Sequence, residues 1–160
     1  MQRSIGKEVK AKGVGIHYNK LTNLVLKPAP ENTGIIFKRV DITNKDNEIL
    51  ANYKNIQSLA LSTQIANAAG VVVATIEHLM SAFFAFKINN IIVEVESAEM
   101  PIMEGGAEEF CFMIECAGLK EQQAKATTFK LVREVKVGDQ EHYIVARPAT
   151  ERTIKFISDF

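Results

Sequence analysis

The clearest element of the sequence lies in residues 75–86, TIEHLMSAFFAF, where apolar side chains recur with the period of an α-helix. Four of them fall at i, i+3, i+4 and i+7: Ile76, Leu79, Met80 and Phe83. Such a stripe covers one face of a helix and packs against a core. Thr75 precedes the stripe and can cap the free backbone amides of the first turn. The stretch therefore predicts a helix that follows Thr75 and ends near Phe86.

Strand patterns lie on both sides of this helix. Before it, short apolar or alternating runs are separated by turn-forming residues; they are 9–12, 24–27, 35–40, 59–65 and 71–73. After it, residues 91–96 alternate apolar and acidic side chains, as a sheet with one wet face requires. Residues 107–117 predict a second helix that Gly118 ends. We predict an α+β fold, a small mixed or antiparallel sheet with two helices packed on one face.

The sequence after Gly118 differs in composition. Residues 119–128 are polar and lack apolar periodicity, which predicts a linker. Three strand-like runs follow it, at 129–137, 143–147 and 153–160. Because the last run has no turn or polar tail after it, we expect the chain to be part of a longer protein. The expected organisation is a first α+β domain over 1–118, a linker over 119–128 and the incomplete start of a second domain over 129–160.

Composition and charge narrow the class of protein. The chain has 160 residues, 47% hydrophobic and 24% charged, as in globular proteins. Lys and Arg number 19, as do Asp and Glu, so the net charge favours neither nucleic acid nor an anionic membrane as a partner. No run approaches the roughly 18 apolar residues of a membrane span, and residues 1–7 lack a signal-peptide core. Cys111 and Cys116 point in different directions on the predicted second helix, which disfavours a disulfide. We therefore expect a cytoplasmic protein.

The first turn of the predicted helix pairs an acid with an imidazole. The positive end of a helix favours the carboxylate of Glu77 and disfavours an imidazolium at His78, and a neutral imidazole is the form that binds metals. A purely structural role is equally open, because Glu is favourable in any first turn and a helical His often packs. The sequence holds no His-x-x-x-His, Cys-x-x-Cys or Glu-x-x-His pair. The sequence alone therefore contains no complete metal motif.

Other candidate residues are less distinctive. His17 follows Gly13 and Gly15, which fit either a ligand close to the backbone or a bulge in an edge strand. Ser62 has no His or Asp nearby in sequence, so a half-buried strand explains it better than a nucleophile. His142 lies in a predicted hairpin and is expected to face solvent.

Five segments together resemble a known family. They are 13–17 (GVGIH), 26–34 (LKPAPENTG), 75–79 (TIEHL), 89–95 (NNIIVEV) and 101–105 (PIMEG). In this order and spacing they resemble the N-terminal part of the zinc-dependent UDP-3-O-acyl-N-acetylglucosamine deacetylases of bacterial lipid A biosynthesis. A weaker likeness continues to the last residue.

The resemblance implies a fold and a chemistry. The family has two related α+β domains with the active site between them, so residues 129–160 would be the first strands of a second, similar domain. The family removes the N-acetyl group of its UDP-sugar by attack of zinc-bound water. Glu77 then matches the general base and His78 one of three zinc ligands. Ile16, His17, Leu61 and Ser62 match substrate-side elements.

Several departures from the family limit what the resemblance implies. No residue here matches the remaining zinc ligands or the catalytic histidine and lysine of the second domain, so these are expected beyond residue 160. We therefore expect the 160-residue chain to be inactive alone, since zinc affinity depends on a complete ligand set. A non-catalytic α+β binding or assembly module derived from the same family stays open. Smaller departures, which concern substrate details, are Tyr18, Asn19, Ala60, Gln64 and Glu104.

Overall fold

The structure is a computed structural model and describes residues 1–158. The chain divides into two compact units, one from Met1 to Ala126 and one that begins at Thr127. Within the described residues, no helix combines the length and the apolar character that crossing a membrane requires.

The first unit contains ten strands and two α-helices. In chain order the strands are β1 (Arg3–Ile5), β2 (Val9–Val14), β3 (Leu21–Pro28), β4 (Ile35–Arg39), β5 (Glu48–Leu50), β6 (Ile56–Ser58), β7 (Gln64–Ala66), β8 (Val72–Val73), β9 (Ile91–Val95) and β10 (Leu119–Glu121). The helices are α1 (Glu77–Phe86) and α2 (Glu108–Ala117), and a 3₁₀ turn spans Tyr53–Asn55. Five strands form a mixed sheet in the order β2-β3-β9-β4-β5, in which only β4 and β9 run parallel.

The core lies on one face of this sheet. In β9, Ile91, Val93 and Val95 are buried while the residues between them are partly exposed, because successive side chains of a strand point to opposite faces. The buried faces of α1 and α2 join the same hydrophobic cluster. The predicted α+β fold with two helices on one face is therefore confirmed.

Helix α1 begins differently from the sequence prediction. Its N-cap is Ile76, which makes no side-chain cap, and Thr75 is not the cap. Thr75 has a φ of 61°, a left-handed conformation that is unusual for a β-branched residue. Its hydroxyl instead donates to Glu99 Oε1 at 3.1 Å. The predicted cap is therefore wrong, because a long-range partner takes the hydroxyl.

The predicted strand over residues 59–65 is confirmed only at its end, where Gln64 and Ile65 belong to β7. Residues 59–63 form a loop between β6 and β7, which pair with β8 in a three-stranded sheet. Leu61 has a φ of 66°, a left-handed conformation that extended strands do not contain. We call residues 59–63 the 59–63 loop.

The polar stretch expected as a linker contributes to the first unit. Within residues 119–128, strand β10 pairs antiparallel with β1, and the first compact unit extends to Ala126. Polar composition does not distinguish an exposed edge strand from a linker, because all three residues of β10 are exposed.

Asn90 links this terminal strand pair to the sheet. The Asn90 Nδ2 donates to Gln2 Oε1 and Gln122 Oε1, each at 2.7 Å, and its Oδ1 accepts from the Gly34 N–H at 2.9 Å. Asn90 is buried, and a buried polar network whose members are all bonded holds its segments in one arrangement.

We expect Asn90→Ala to lower the free energy of unfolding by about 1–3 kcal/mol, because it leaves the Gly34 N–H and Gln122 Oε1, both partly buried, without this partner. Urea unfolding followed by circular dichroism measures this change. Asn44→Ala is the matched control, since Asn44 is exposed, and surface substitutions change stability by about 0.5 kcal/mol or less. Equal unfolding midpoints for the two variants would contradict the role given to Asn90.

The second unit contains a hairpin. Strand β11 (Val135–Gly138) pairs antiparallel with β12 (Tyr143–Ala146). The strand predicted over 129–137 begins only at Val135. A strand was also predicted over 153–160. Residues 153–158 are irregular, and residues 159 and 160 lie outside the described residues. The described residues give these segments no ladder partner, and strand backbone needs one.

Candidate active site at the start of helix α1

Glu77 is the first residue of α1 and lies in the wall of an open groove of about 530 Å³. The groove is almost entirely apolar, and its walls include Ile56, Thr63, Ile65, Met80 and Phe84. Met80 belongs to the predicted apolar stripe but is only partly buried, since it packs against the core on one side and borders this groove on the other. The carboxylate of Glu77 is thus a charged group in an apolar recess at the positive end of a helix.

Thr63 holds this carboxylate in place. Its backbone N–H donates to Glu77 Oε2 at 3.1 Å, and its carbonyl oxygen accepts from the Ile76 N–H at 3.4 Å. The two bonds dock the 59–63 loop on the residues that open α1. The remaining oxygen, Glu77 Oε1, accepts no hydrogen bond within the described residues.

His78 follows on the first turn of α1 and is partly buried. Its carbonyl oxygen accepts from Ser81 Oγ at 2.9 Å, and within the described residues its imidazole has no hydrogen bond or ion pair. A neutral imidazole whose nitrogens make no hydrogen bond is chemically suited to be a metal ligand.

The described residues do not form a complete zinc site. Zinc takes three or four side-chain ligands in proteins. Within residues 1–158, no group of three or more His, Cys, Asp or Glu side chains could hold an ion. A zinc ion at the predicted ligand His78 would therefore need ligands that residues 1–158 do not supply.

A second, smaller cavity of about 130 Å³ brings three of the predicted substrate-side residues together. His17, Leu61 and Ser62 line it, along with Tyr18 and Gln64. Ile16, the fourth predicted residue, is 61% exposed and does not line this cavity. The 59–63 loop thus contributes to both recesses, with Leu61 and Ser62 in the smaller one and Thr63 in the groove.

Glu99, which bonds two residues of the smaller cavity, is a residue that the sequence did not reveal. Its side chain is fully buried and accepts from the N–H groups of His17 and Tyr18, each at 2.9 Å, and from the Thr75 hydroxyl at 3.1 Å. A Glu in a loop is usually solvated, and its three partners lie 24 or more positions away. Its place just before segment 101–105, which carries part of the resemblance, is the one signal that could have drawn attention to it.

Comparison with known proteins agrees with the resemblance. The chain is 39% identical over 159 residues to the UDP-3-O-acyl-N-acetylglucosamine deacetylase of Pseudoalteromonas atlantica, covering 99% of this chain and 52% of that protein. It is 43% identical over 136 residues to the protein of the same name from Ruthia magnifica, covering 85% of this chain and 44% of that protein. It is 37% identical over 159 residues to the protein of the same name from Shewanella frigidimarina, covering 99% of this chain and 52% of that protein.

The chain spans about half the length of the curated relatives it matches. The sequence profile described as UDP-3-O-acyl N-acetylglycosamine deacetylase matches residues 2–160, which is nearly the whole chain. The chain therefore belongs to the UDP-3-O-acyl N-acetylglycosamine deacetylase family.

Proposed function

We propose that the full protein is a zinc-dependent deacetylase that hydrolyses the N-acetyl group of UDP-3-O-acyl-N-acetylglucosamine in lipid A biosynthesis. Family membership supports the reaction and the substrate. The observation that carries the proposal is the Glu77 carboxylate, which the Thr63 N–H holds in the wall of an apolar groove. His78 is the next residue of the same helix.

In this proposal Glu77 is the general base. Proton transfer by a positioned carboxylate requires a fixed orientation and a free oxygen. The Thr63 N–H fixes Oε2 and leaves Oε1 to take the proton of the attacking water. Ile56, Ile65 and Phe84 contribute apolar side chains to the wall in which this carboxylate lies.

His78 is the zinc ligand that this chain contributes. Zinc, when bound, polarises a carbonyl oxygen and makes a water more acidic. The remaining ligands would come from the part of the relatives' length that this chain does not span. Residues 1–160 alone would then hold zinc weakly and be inactive.

We assign substrate contacts to the smaller cavity. His17, Leu61 and Ser62 share its wall, and the 59–63 loop connects Leu61 and Ser62 to Glu77 through Thr63. Ile16 would contact substrate from outside this cavity, since its side chain is exposed.

We also place the protein in the cytoplasm. Cys111 and Cys116 are both free, and unpaired cysteines are typical of reducing compartments. Burial, together with the neighbouring Glu115 and Glu108, raises the pKa of the Cys111 thiol, which lowers its reactivity.

We expect His78→Ala, made in the full gene product, to lower zinc affinity by more than about 100-fold. Loss of a hydrogen bond that only supports a ligand already costs roughly 10–100-fold, and this variant removes the ligand itself. Deacetylase turnover should fall with it. Zinc content after dialysis, measured by mass spectrometry, and turnover of UDP-3-O-acyl-N-acetylglucosamine are the two readouts.

His142→Ala is the matched control for that experiment. His142 lies in the exposed hairpin of the second unit, so zinc content and turnover should match the unsubstituted protein. Unchanged zinc content and turnover in His78→Ala would contradict the proposed ligand. A full gene product that binds the UDP-sugar without turning it over would instead support a non-catalytic module.

A further inference from the structure

We propose that Glu99 is a positioning residue, whose buried carboxylate fixes the substrate-side loop of residues 15–18 relative to the start of α1. The proposal rests on the proposed function, because it treats the elements that carry His17 and Glu77 as parts of one active site. Glu99 itself contacts neither the groove nor the smaller cavity, so it would act through its hydrogen-bonded neighbours.

The first side of this contact is the loop. Glu99 accepts two backbone N–H groups, from His17 at 2.9 Å and from Tyr18 at 2.9 Å. At Gly15 a Cβ atom would collide with the Glu99 carboxylate, so the loop closes around this group more tightly than any other residue type allows. His17 and Tyr18 line the smaller cavity, and the carboxylate therefore sets the backbone that carries them.

The second side is the entry to α1. The Thr75 hydroxyl donates to Glu99 Oε1 at 3.1 Å, and Thr75 stands two positions before Glu77. Its left-handed φ of 61° costs free energy and persists only when neighbouring contacts impose it. The hydroxyl bond is such a contact, and it fixes the direction in which the chain enters the helix.

The backbone of Glu99 is itself held against the same entry. The Ala74 N–H donates to the Ala98 carbonyl at 2.8 Å, and the Met100 N–H donates to the Ala74 carbonyl at 3.0 Å. The backbone on either side of Glu99 is therefore fixed by hydrogen bonds to Ala74. From this position its two carboxylate oxygens accept hydrogen bonds from the loop of residues 15–18 and from Thr75.

A carboxylate is a costly group to place there. Glu99 is fully buried, and burial of a charge is strongly unfavourable unless it is well hydrogen-bonded. Within the described residues, no Lys, Arg or His forms an ion pair with Glu99. Glu94 differs in this respect, because it forms an ion pair with Lys27. The free-energy cost of burying this carboxylate is offset by two backbone N–H donors and one hydroxyl donor. These donors belong to the loop of residues 15–18 and to the entry to α1, the two elements that Glu99 connects.

Hydrogen exchange of the full gene product tests the contact without substrate. In Glu99→Gln, which keeps shape but removes the charge and one acceptor, the amides of His17 and Tyr18 should exchange about tenfold faster or more. Glu96→Gln is the matched control, because the Glu96 side chain is exposed and accepts from Asn23 Nδ2, away from the loop of residues 15–18. Exchange rates that equal those of the control would overturn the proposal.

Steady-state kinetics of the full gene product tests the consequence for the site. Glu99→Gln should raise the KM for UDP-3-O-acyl-N-acetylglucosamine about tenfold, since the substrate-side loop loses its fixed position. Thr75→Val removes only the hydroxyl bond and should lower kcat about tenfold with little change in KM, whereas Thr75→Ser should restore kcat.

The outcomes separate this proposal from the proposed function. Absence of turnover in the unsubstituted protein would refute the proposed function, and hydrogen exchange would still decide whether Glu99 holds the loop. Turnover with unchanged KM and kcat in Glu99→Gln and Thr75→Val would overturn the positioning role and leave the proposed function intact. If Glu99→Gln does not fold, the Thr75→Val and Thr75→Ser pair decides by the same criteria.

Discussion

Glu77→Gln in the full gene product is expected to lower the kcat of deacetylation by about 10²–10⁴-fold, the usual contribution of a general base. Glutamine has nearly the same shape as Glu77, and its amide oxygen can still accept from the Thr63 N–H. It has no oxygen that takes up a proton, so the variant removes the proposed chemistry and little else. Zinc content should stay at the level of the unsubstituted protein.

The control for this experiment is Glu108→Gln. Glu108 is the first residue of α2, as Glu77 is of α1, and it is exposed to solvent. The same loss of charge at an equivalent helix position should leave kcat within about twofold, because Glu108 lies outside the walls of the groove. A Glu77→Gln kcat within the same range would refute the role of Glu77 as base.

The second large effect concerns stability. We expect Phe110→Ala to lower the free energy of unfolding by about 3–5 kcal/mol, the usual cost of removing a buried aromatic ring. Phe110 is 1% exposed and belongs to the cluster between the two helices and the sheet. Such a loss is a large share of the roughly 5–15 kcal/mol by which domains are stable.

Phe112→Ala on the same helix provides the comparison. Phe112 is 65% exposed, so its removal should change the free energy of unfolding by about 0.5 kcal/mol or less. Urea unfolding followed by the helical circular dichroism signal reports on α1 and α2 together, since both helices described in the structure belong to the first unit. Similar losses for the two variants would show that α2 does not pack on the face assigned here.

The parts of the fold predictable from sequence are those that depend on local periodicity. The stripe from Ile76 to Phe83 and the alternation from Ile91 to Val95 identify α1 and β9, because one buried face imposes the period on neighbouring residues. The predictions were wrong where a distant partner decides the conformation. Thr75 bonds Glu99 instead of capping α1.

The same distinction applies to the candidate site. Glu77 and His78 share one helical turn, so their sequence position already indicated a possible acid and imidazole pair. Thr63 and Glu99 enter through contacts that span 14 and 24 positions in the sequence, and no local pattern in the sequence marks them. The residues proposed to react were therefore predictable, whereas those that hold them in place were not.

The pairing of β1 with β10 has a consequence for synthesis of the protein. Arg3 lies opposite Glu121, so β1 lacks its ladder partner until almost the whole first unit has been synthesised. Contacts between residues so far apart form late, because closing a long loop costs chain entropy. During translation the segment around Arg3 is therefore an unpaired strand edge, the kind of segment that chaperones protect from aggregation.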